Sequence, residues 1–162
     1  MTSPHRLPPT LFDKAKWTPL LELSAREVFE IMLNTNLESA KEPASEQVGE
    51  FTAIVGLAGS LRGVLSIRCT DEAARAMAGK MLNMPSDEVD NDSLDALAEI
   101  ANMIAGNFKA KLTGIGNECM LSVPTIIVGT DYHTRSLAGG NIIETFCNFE
   151  KKPLRVTLQL HD

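Results

Sequence analysis

Residues 92–112 read DSLDALAEIANMIAGNFKAKL and form the longest helical pattern in the chain. Apolar side chains recur every three or four residues, which gives a helix one continuous buried stripe. The stripe consists of Leu94, Leu97, Ala101, Ile104, Phe108 and Leu112. This spacing predicts a long amphipathic helix, against which the rest of the fold packs.

The opposite face of this predicted helix carries an unusual set of residues. At about 100° per residue, one stripe collects Asp95, Glu99, Asn102, Gly106 and Lys109. An exposed Glu and Asn are most often plain solvated surface. Here, however, a carboxylate and an amide lie one turn apart, and Asn is a mediocre helix former that competes for backbone hydrogen bonds. These residue types alone do not establish a function, but they make the stripe the candidate functional surface of the chain.

The composition fits an ordinary globular protein of one domain. The chain has 162 residues, of which 44% are hydrophobic and 22% charged. A formal net charge of −6 argues against binding to a nucleic-acid backbone. No apolar run reaches the ~18 residues that span a bilayer, and the first residues lack the apolar core of a signal peptide. We expect a cytoplasmic protein with no nucleic-acid or membrane partner.

The sequence contains no motif for metal, nucleophilic or nucleotide chemistry. Cys69, Cys119 and Cys147 are far apart and form no CxxC or Cys/His pair, so we expect them to be small buried hydrophobes. No P-loop, GxGxxG or Ser/His/Asp arrangement is present. The acidic loop PSDEVDNDS lacks the Gly and closing Glu of an EF-hand and is interpreted as a solvated connection.

The first half of the chain predicts two helices and two strands. Residues 1–18 are rich in proline and are expected to be an extended or disordered lead-in to one domain over residues 19–162. A helix is predicted over residues 19–39, with Pro19 in its first turn. Residues 50–70 predict two strands around a glycine turn, and Thr70 is the expected N-cap of a short second helix.

Three further strands are predicted after the long helix. CMLSVPTIIVG, residues 119–129, should be an edge or bulged strand because Pro124 cannot donate a ladder hydrogen bond. NIIETFCNF and LRVTLQL are the other two strands. Short connections make such strands antiparallel. The predicted fold class is therefore α+β, with an antiparallel sheet and long helices packed on one face.

A weak internal repeat relates the first predicted helix to the long one. LSAREVFEIMLN resembles LDALAEIANMIA when Ser24 is laid on Asp95. In this alignment Val28 corresponds to Glu99, and Ile31 to Asn102. The two halves would then share a framework in which only the second helix carries the polar pair.

The polar stripe is part of a longer pattern. Asp95 is followed by three residues and Glu99, by two residues and Asn102, and by 21 residues and Pro124. This pattern resembles the Asp/Ser-x3-Glu-x2-Asn-x(21–22)-Pro signature of the CheC/CheX/FliY family of chemotaxis phosphatases. The resemblance covers the second half of the chain motif by motif, and the element order also resembles that family. With a single copy of the motif, the chain resembles the CheX-like branch of the family. This resemblance implies a CheX/CheC-like fold and a homodimer.

The resemblance implies a phosphatase that hydrolyses the aspartyl phosphate of a phosphorylated CheY-like receiver domain. Glu99 would bridge to the receiver's active-site lysine, and Asn102 would position the attacking water. Magnesium is expected on the receiver, and no cofactor of the protein's own is expected. The residue types suit these roles, because a carboxylate can hold an ammonium group and an amide both donates and accepts hydrogen bonds. Phosphoryl transfer requires mainly positioning and charge stabilisation.

Asp95, Gly106 and Pro124 are expected to support this pair. If Asp92 is the N-cap, Asp95 stands at N3, where it serves a capping box as readily as it serves the site. Gly106 either lets a partner approach closely or serves helix packing, and Pro124 shapes a strand or loop. Two other functions stay open on the same fold, a non-catalytic receiver-binding module and a structural oligomerisation domain.

Overall fold

The computed structural model describes residues 13–41, 49–112, 118–130, 132 and 141–161. Within these ranges the helices are α1 (Lys14–Leu33), α2 (Asp71–Leu82) and α3 (Asp92–Ala110), and a 3-10 turn covers Ser86–Glu88. The strands are β1 (Glu38–Ala40), β2 (Phe51–Gly59), β3 (Gly63–Cys69), β4 (Cys119–Leu121), β5 (Thr125–Val128), β6 (Asn141–Phe149) and β7 (Lys152–Leu160).

One antiparallel sheet contains all of these strands, in the order β1-β6-β7-β3-β2-β4, and β5 also pairs with β2. Alternate residues of β3, β6 and β7 are buried, and the helices cover this inner face of the sheet. α1 contacts β6, whereas α3 contacts β2, β3, β4 and β5. The predicted α+β architecture is confirmed, and α3 lies over the β2 side of the sheet.

The first helix begins and ends earlier than the sequence predicts. α1 starts at Lys14, where the Asp13 carboxylate accepts a hydrogen bond from the Lys16 amide, so Lys14 to Thr18 are helical and not an extended lead-in. Pro19 lies inside the helix and not in its first turn. Residues 1–12 of the expected lead-in lie outside the described residues. Asn34 ends the helix in a left-handed conformation, which leaves the following residues free to form β1.

The predicted strand around Pro124 is two short strands. β4 pairs Leu121 with Leu57, and β5 pairs Thr125 with Ile54, so three residues of this edge oppose two residues of β2. This is a β-bulge at an edge, as Pro124 predicts. The Ser122 amide donates to the Gly56 carbonyl at 2.9 Å, and the Ser122 hydroxyl accepts from the Gly56 amide at 2.8 Å. These two bonds hold the bulge against β2.

The alignment predicted for the internal repeat is wrong by one residue. The buried residues of α1 and α3 match at an offset of 72, since Leu21 corresponds to Ser93 (93 − 21) and Leu33 to Ala105 (105 − 33). Val28 is 3% exposed whereas Glu99 is exposed, so these two residues do not correspond, and the shift by one residue pairs Ile31 with Met103 and not with Asn102. In the structural register Glu27 corresponds to Glu99 and Glu30 to Asn102. Ser24 likewise corresponds to the buried Ala96 and not to Asp95.

Candidate functional site

α3 is fixed to the fold along its buried stripe. Phe108 packs edge-on against Trp17 of α1, with ring centroids 6.1 Å apart. Lys109 does not extend into solvent as the sequence suggests, because its ammonium group donates to the backbone carbonyl of Cys119 in β4. The remaining buried residues of the helix are Ser93, Ala96, Leu97, Ile100, Ala101, Ile104 and Ala105. The helix is therefore a rigid platform for whatever its outer face carries.

A polar network that no local pattern predicts braces α3 against α1. Asn107 donates from its amide nitrogen to the Glu27 carboxylate at 2.8 Å and to the Ser24 carbonyl at 3.2 Å. The Lys111 ammonium group lies 2.7 Å from the same Glu27 oxygen. Hydrogen bonds from Lys111 and Asn107 lower the pKa of the Glu27 carboxyl. In the sequence, only the repeat in its structural register singles out Glu27, because it makes Glu27 the counterpart of Glu99.

Glu99 and Asn102 lie side by side on the outer face of α3. Both side chains are exposed, and their Cα atoms are separated by a rise of ~4.5 Å along the helix axis. Neither side chain forms a hydrogen bond or ion pair with another of the described residues. This contrasts with Glu27, whose Oε2 atom is bound by Asn107 and Lys111. The Glu99 and Asn102 groups are therefore available to bind atoms of another molecule.

Asp95 is exposed on the same stripe but does not close a capping box. The N-cap is Asn91, whose side chain makes no capping hydrogen bond, and Asp92 is already the first helical residue. Asp95 therefore stands one position beyond N3 and cannot serve the predicted N-cap, Asp92. Its carboxylate still lies in the first turn, where negative charge is favourable.

Gly106 leaves open space on the outer face of α3. A Cβ atom built on this residue would meet a single neighbouring side chain, the Leu121 methyl group of β4, at an ordinary contact distance of 3.9 Å. Helix packing therefore does not require glycine at this position. Pro124 lies in the bulge between β4 and β5, the two strands that flank α3, and it contributes shape and no reactive group.

The described residues offer no rival chemistry. No cluster of His, Cys, Asp or Glu among them is arranged to hold a metal ion. Burial raises the pKa of the thiol to about 12 for Cys69 and to about 11 for Cys147, and it also raises the pKa of Cys119. The three cysteines are buried, as predicted, and are protonated at neutral pH. No helix among the residues described has the length and apolarity needed to cross a membrane.

Comparisons with known proteins agree with the fold. The profile of the family Chemotaxis phosphatase CheX matches residues 51–148. The CheY-P phosphatase CheX of Thermotoga maritima is 29% identical over 87 residues, which are 53% of this chain and 56% of that protein. The chain thus spans little more than half the length of this curated relative.

Solved structures of CheX proteins share the whole architecture. The chemotaxis protein CheX from Vibrio vulnificus superimposes with a TM-score of 0.77 at 20% identity, covering 93% of this chain and 99% of that chain. CheX in the CheX–CheY–BeF3–Mg complex from Borrelia burgdorferi gives 0.72 at 25% identity, covering 90% and 98%. The resemblance to CheC/CheX/FliY proteins is confirmed, and because the family profile covers more than half of its residues, the chain belongs to the chemotaxis phosphatase CheX family.

Proposed function

We propose that this protein accelerates hydrolysis of the aspartyl phosphate on a CheY-like receiver domain, and that Glu99 and Asn102 are the catalytic residues. The observation that carries the proposal is the exposed, unpartnered Glu99/Asn102 pair on a helix whose Asn107 and Lys109 side chains are bonded to neighbouring elements. Two relatives support the receiver as substrate. One is named a CheY-P phosphatase, and another was crystallised with CheY.

Each residue has one role in the proposed reaction. The Glu99 carboxylate pairs with the ammonium group of the receiver's active-site lysine and so fixes the receiver on α3. The Asn102 amide oxygen accepts a hydrogen bond from a water molecule and aims its oxygen at phosphorus. The water oxygen bonds to phosphorus while the bond from phosphorus to the aspartyl oxygen breaks; the receiver's aspartate leaves as a carboxylate, and both protons of the water stay with the phosphate that is released. Magnesium on the receiver would neutralise the phosphoryl oxygens.

Three further residues support this proposal in different ways. Gly106 would leave room for the receiver's backbone one turn below Asn102. Asp95 would add negative charge that steers a cationic partner surface, and Pro124 would keep the neighbouring edge bulged away from the helix.

The homodimer and the cytoplasmic location implied by the sequence stay predictions, and light scattering of the purified protein tests the first of them.

The decisive experiment is phosphate release from several phosphorylated receivers in magnesium, with and without the protein. Glu99→Ala and Asn102→Ala should each reduce the acceleration about 100-fold, because the first removes the group that fixes the receiver and the second removes the group that positions the water. Circular dichroism should show unchanged folding, since neither side chain has a described partner. Glu30→Ala is the matched control, because Glu30 is exposed at the corresponding position of α1 and should be neutral.

The results separate the two main functions. If Glu99→Ala and Asn102→Ala keep full activity, the assignment of the site is wrong. If the protein binds phosphorylated receiver but never accelerates phosphate loss, the non-catalytic binding module is the correct function. In that case Glu99→Ala would still weaken binding.

A further inference from the structure

The edge of the sheet beside α3 is apolar and carries no charge. Residues 119–128, which we call the β4–β5 edge, read CMLSVPTIIV, and β4 and β5 pair with β2 alone within the described part of the chain. Natural proteins usually protect an open edge with charged side chains, because an uncharged edge invites another chain to bind. The opposite edge follows this rule, since β1 contains the exposed Glu38 and is followed by the exposed Lys41. The β4–β5 edge has its bulge but no such charge.

Exposed apolar side chains are concentrated on the same edge. Met120, Val123 and Val128 are 73%, 86% and 62% exposed, and they are three of the seven exposed large apolar residues in the described ranges. The other four are divided among α1, α2 and β6. Single exposed apolar residues are normal on a protein surface, whereas several on one short edge indicate a contact surface.

The strand register divides the apolar residues of this edge between two faces. Leu121 pairs with Leu57, and Val128 pairs with Phe51. Leu57 is buried and Phe51 packs against the core, so Leu121 and Val128 lie on the side of the sheet that the helices cover. Met120 precedes Leu121 in an extended strand and therefore projects from the other face.

The helix side of the β4–β5 edge is continuous with the stripe that carries Glu99 and Asn102. α3 contacts both β4 and β5, and the Lys109 ammonium group is bonded to a backbone carbonyl of β4. A Leu121 methyl group lies 3.9 Å from the position of a Cβ atom on Gly106, one turn below Asn102. A molecule that covers the pair therefore also meets the edge.

We infer that Leu121, Val123 and Val128 form a docking surface for an apolar area of the receiver that lies beside its active-site lysine. This inference rests on the proposed function, because it takes as partner the receiver that Glu99 and Asn102 engage.

The size and composition of protein interfaces favour the receiver as the occupant. A specific interface uses about 20–30 residues a side, which is more than one helical stripe provides, so the receiver must also cover a neighbour of α3. One flank of α3 is occupied by its polar contacts with α1. The other flank is the β4–β5 edge, which supplies the apolar area that an interface core requires, while the stripe supplies polar groups.

The test combines phosphate release at varied concentrations of phosphorylated receiver with calorimetric titration of the beryllofluoride-activated receiver in magnesium. The Val123→Thr/Val128→Thr double variant keeps the size of both side chains but places a hydroxyl group on each. It should raise KM and Kd about tenfold and leave kcat within about twofold of wild type, because it removes binding that substrate and transition state share. Met120→Gln is the matched control, since it changes an exposed residue of the same edge on the other face and should alter neither constant. Thermal unfolding of both variants should match wild type, because all three residues are exposed.

The outcomes separate this inference from the proposed function. Unchanged KM and Kd in the double variant, or an equal loss in Met120→Gln, would overturn the docking surface and leave the phosphatase function intact. Sedimentation that shows a wild-type dimer and a monomeric double variant would also overturn it, because a second copy would then cover the edge. If wild type binds the activated receiver without accelerating phosphate loss, the proposed function fails, and a tenfold weaker Kd of the double variant would still support the docking surface. A protein that binds no receiver contradicts both.

Discussion

Replacement of Gly106 by alanine should stabilise the protein and impair its action on the receiver. Glycine in a helix interior costs roughly 0.5–1 kcal/mol relative to alanine. The added methyl group would contact Leu121 at 3.9 Å without displacing it, so little of this gain should be lost to strain. A gain near 1 kcal/mol raises the midpoint of thermal unfolding by about 3 °C for a chain of this size.

The effect on activity has the opposite sign if the receiver's backbone approaches at Gly106. The methyl group would occupy the gap one turn below Asn102 and push the receiver away from the pair. We expect the receiver's KM to rise about tenfold, equivalent to ~1.4 kcal/mol of binding, with a smaller change in kcat. Thermal unfolding measures the first effect, and phosphate release at varied receiver concentration measures the second.

Gly79 provides a matched control inside α2. A Cβ atom there would lie 2.8 Å from the Met84 carbonyl oxygen, which is backbone and cannot move freely. Gly79→Ala should therefore destabilise the fold by roughly 1–3 kcal/mol while Gly106→Ala stabilises it. Full activity in a stabilised Gly106→Ala protein would refute the close-approach argument. A destabilised Gly106→Ala protein would refute the packing argument.

Three further predictions concern the supports of the site. Glu27→Gln should lower the free energy of unfolding at neutral pH, because Lys111 and Asn107 stabilise the charged carboxylate and so depress the folded-state pKa of Glu27. The difference from wild type should shrink as the pH falls below about 4.5 and through the lowered pKa. Denaturant titrations at several pH values measure this difference. Ser122→Ala removes the hydroxyl acceptor that holds the bulge to β2 and should cost roughly 0.5–1.5 kcal/mol in urea unfolding. Thr70→Ala removes the hydroxyl that caps α2 at 3.0 Å and should cost about 1 kcal/mol, whereas Thr70→Ser should cost much less.

The sequence predicts best those elements whose local signal and tertiary role agree. The apolar spacing of α3 and the cap at Thr70 are short-range features, and both are confirmed. Pro124 correctly indicates a bulged edge, because a missing donor has the same consequence in any sheet. The exposed pair on α3 was likewise readable, since its position follows from helical phase alone.

The errors occur where tertiary contacts decide the outcome. β1 is three residues long and exists only because it pairs with β6, so no local pattern distinguishes it from a loop. The repeat was misaligned because the helical patterns match closely in either register, and only the burial of Val28 and Ser24, opposite the exposed Glu99 and Asp95, selects the correct one. The face of the sheet on which Leu121 and Val128 lie likewise needs the strand register to be seen.

The position of β7 has a consequence for how the chain acquires its structure. β7 lies between β3 and β6, and Gly63 of β3 pairs with Leu160 of β7. The middle of the sheet therefore cannot form until the last strand has been synthesised. On a ribosome, α3 and its polar pair emerge well before the surface beneath them is complete. Sheets closed by such distant pairings fold slowly, and apolar strands remain uncovered in the meantime. A nascent chain stalled before β7 should therefore depend on chaperones and should lack activity, although Glu99 and Asn102 have already been synthesised.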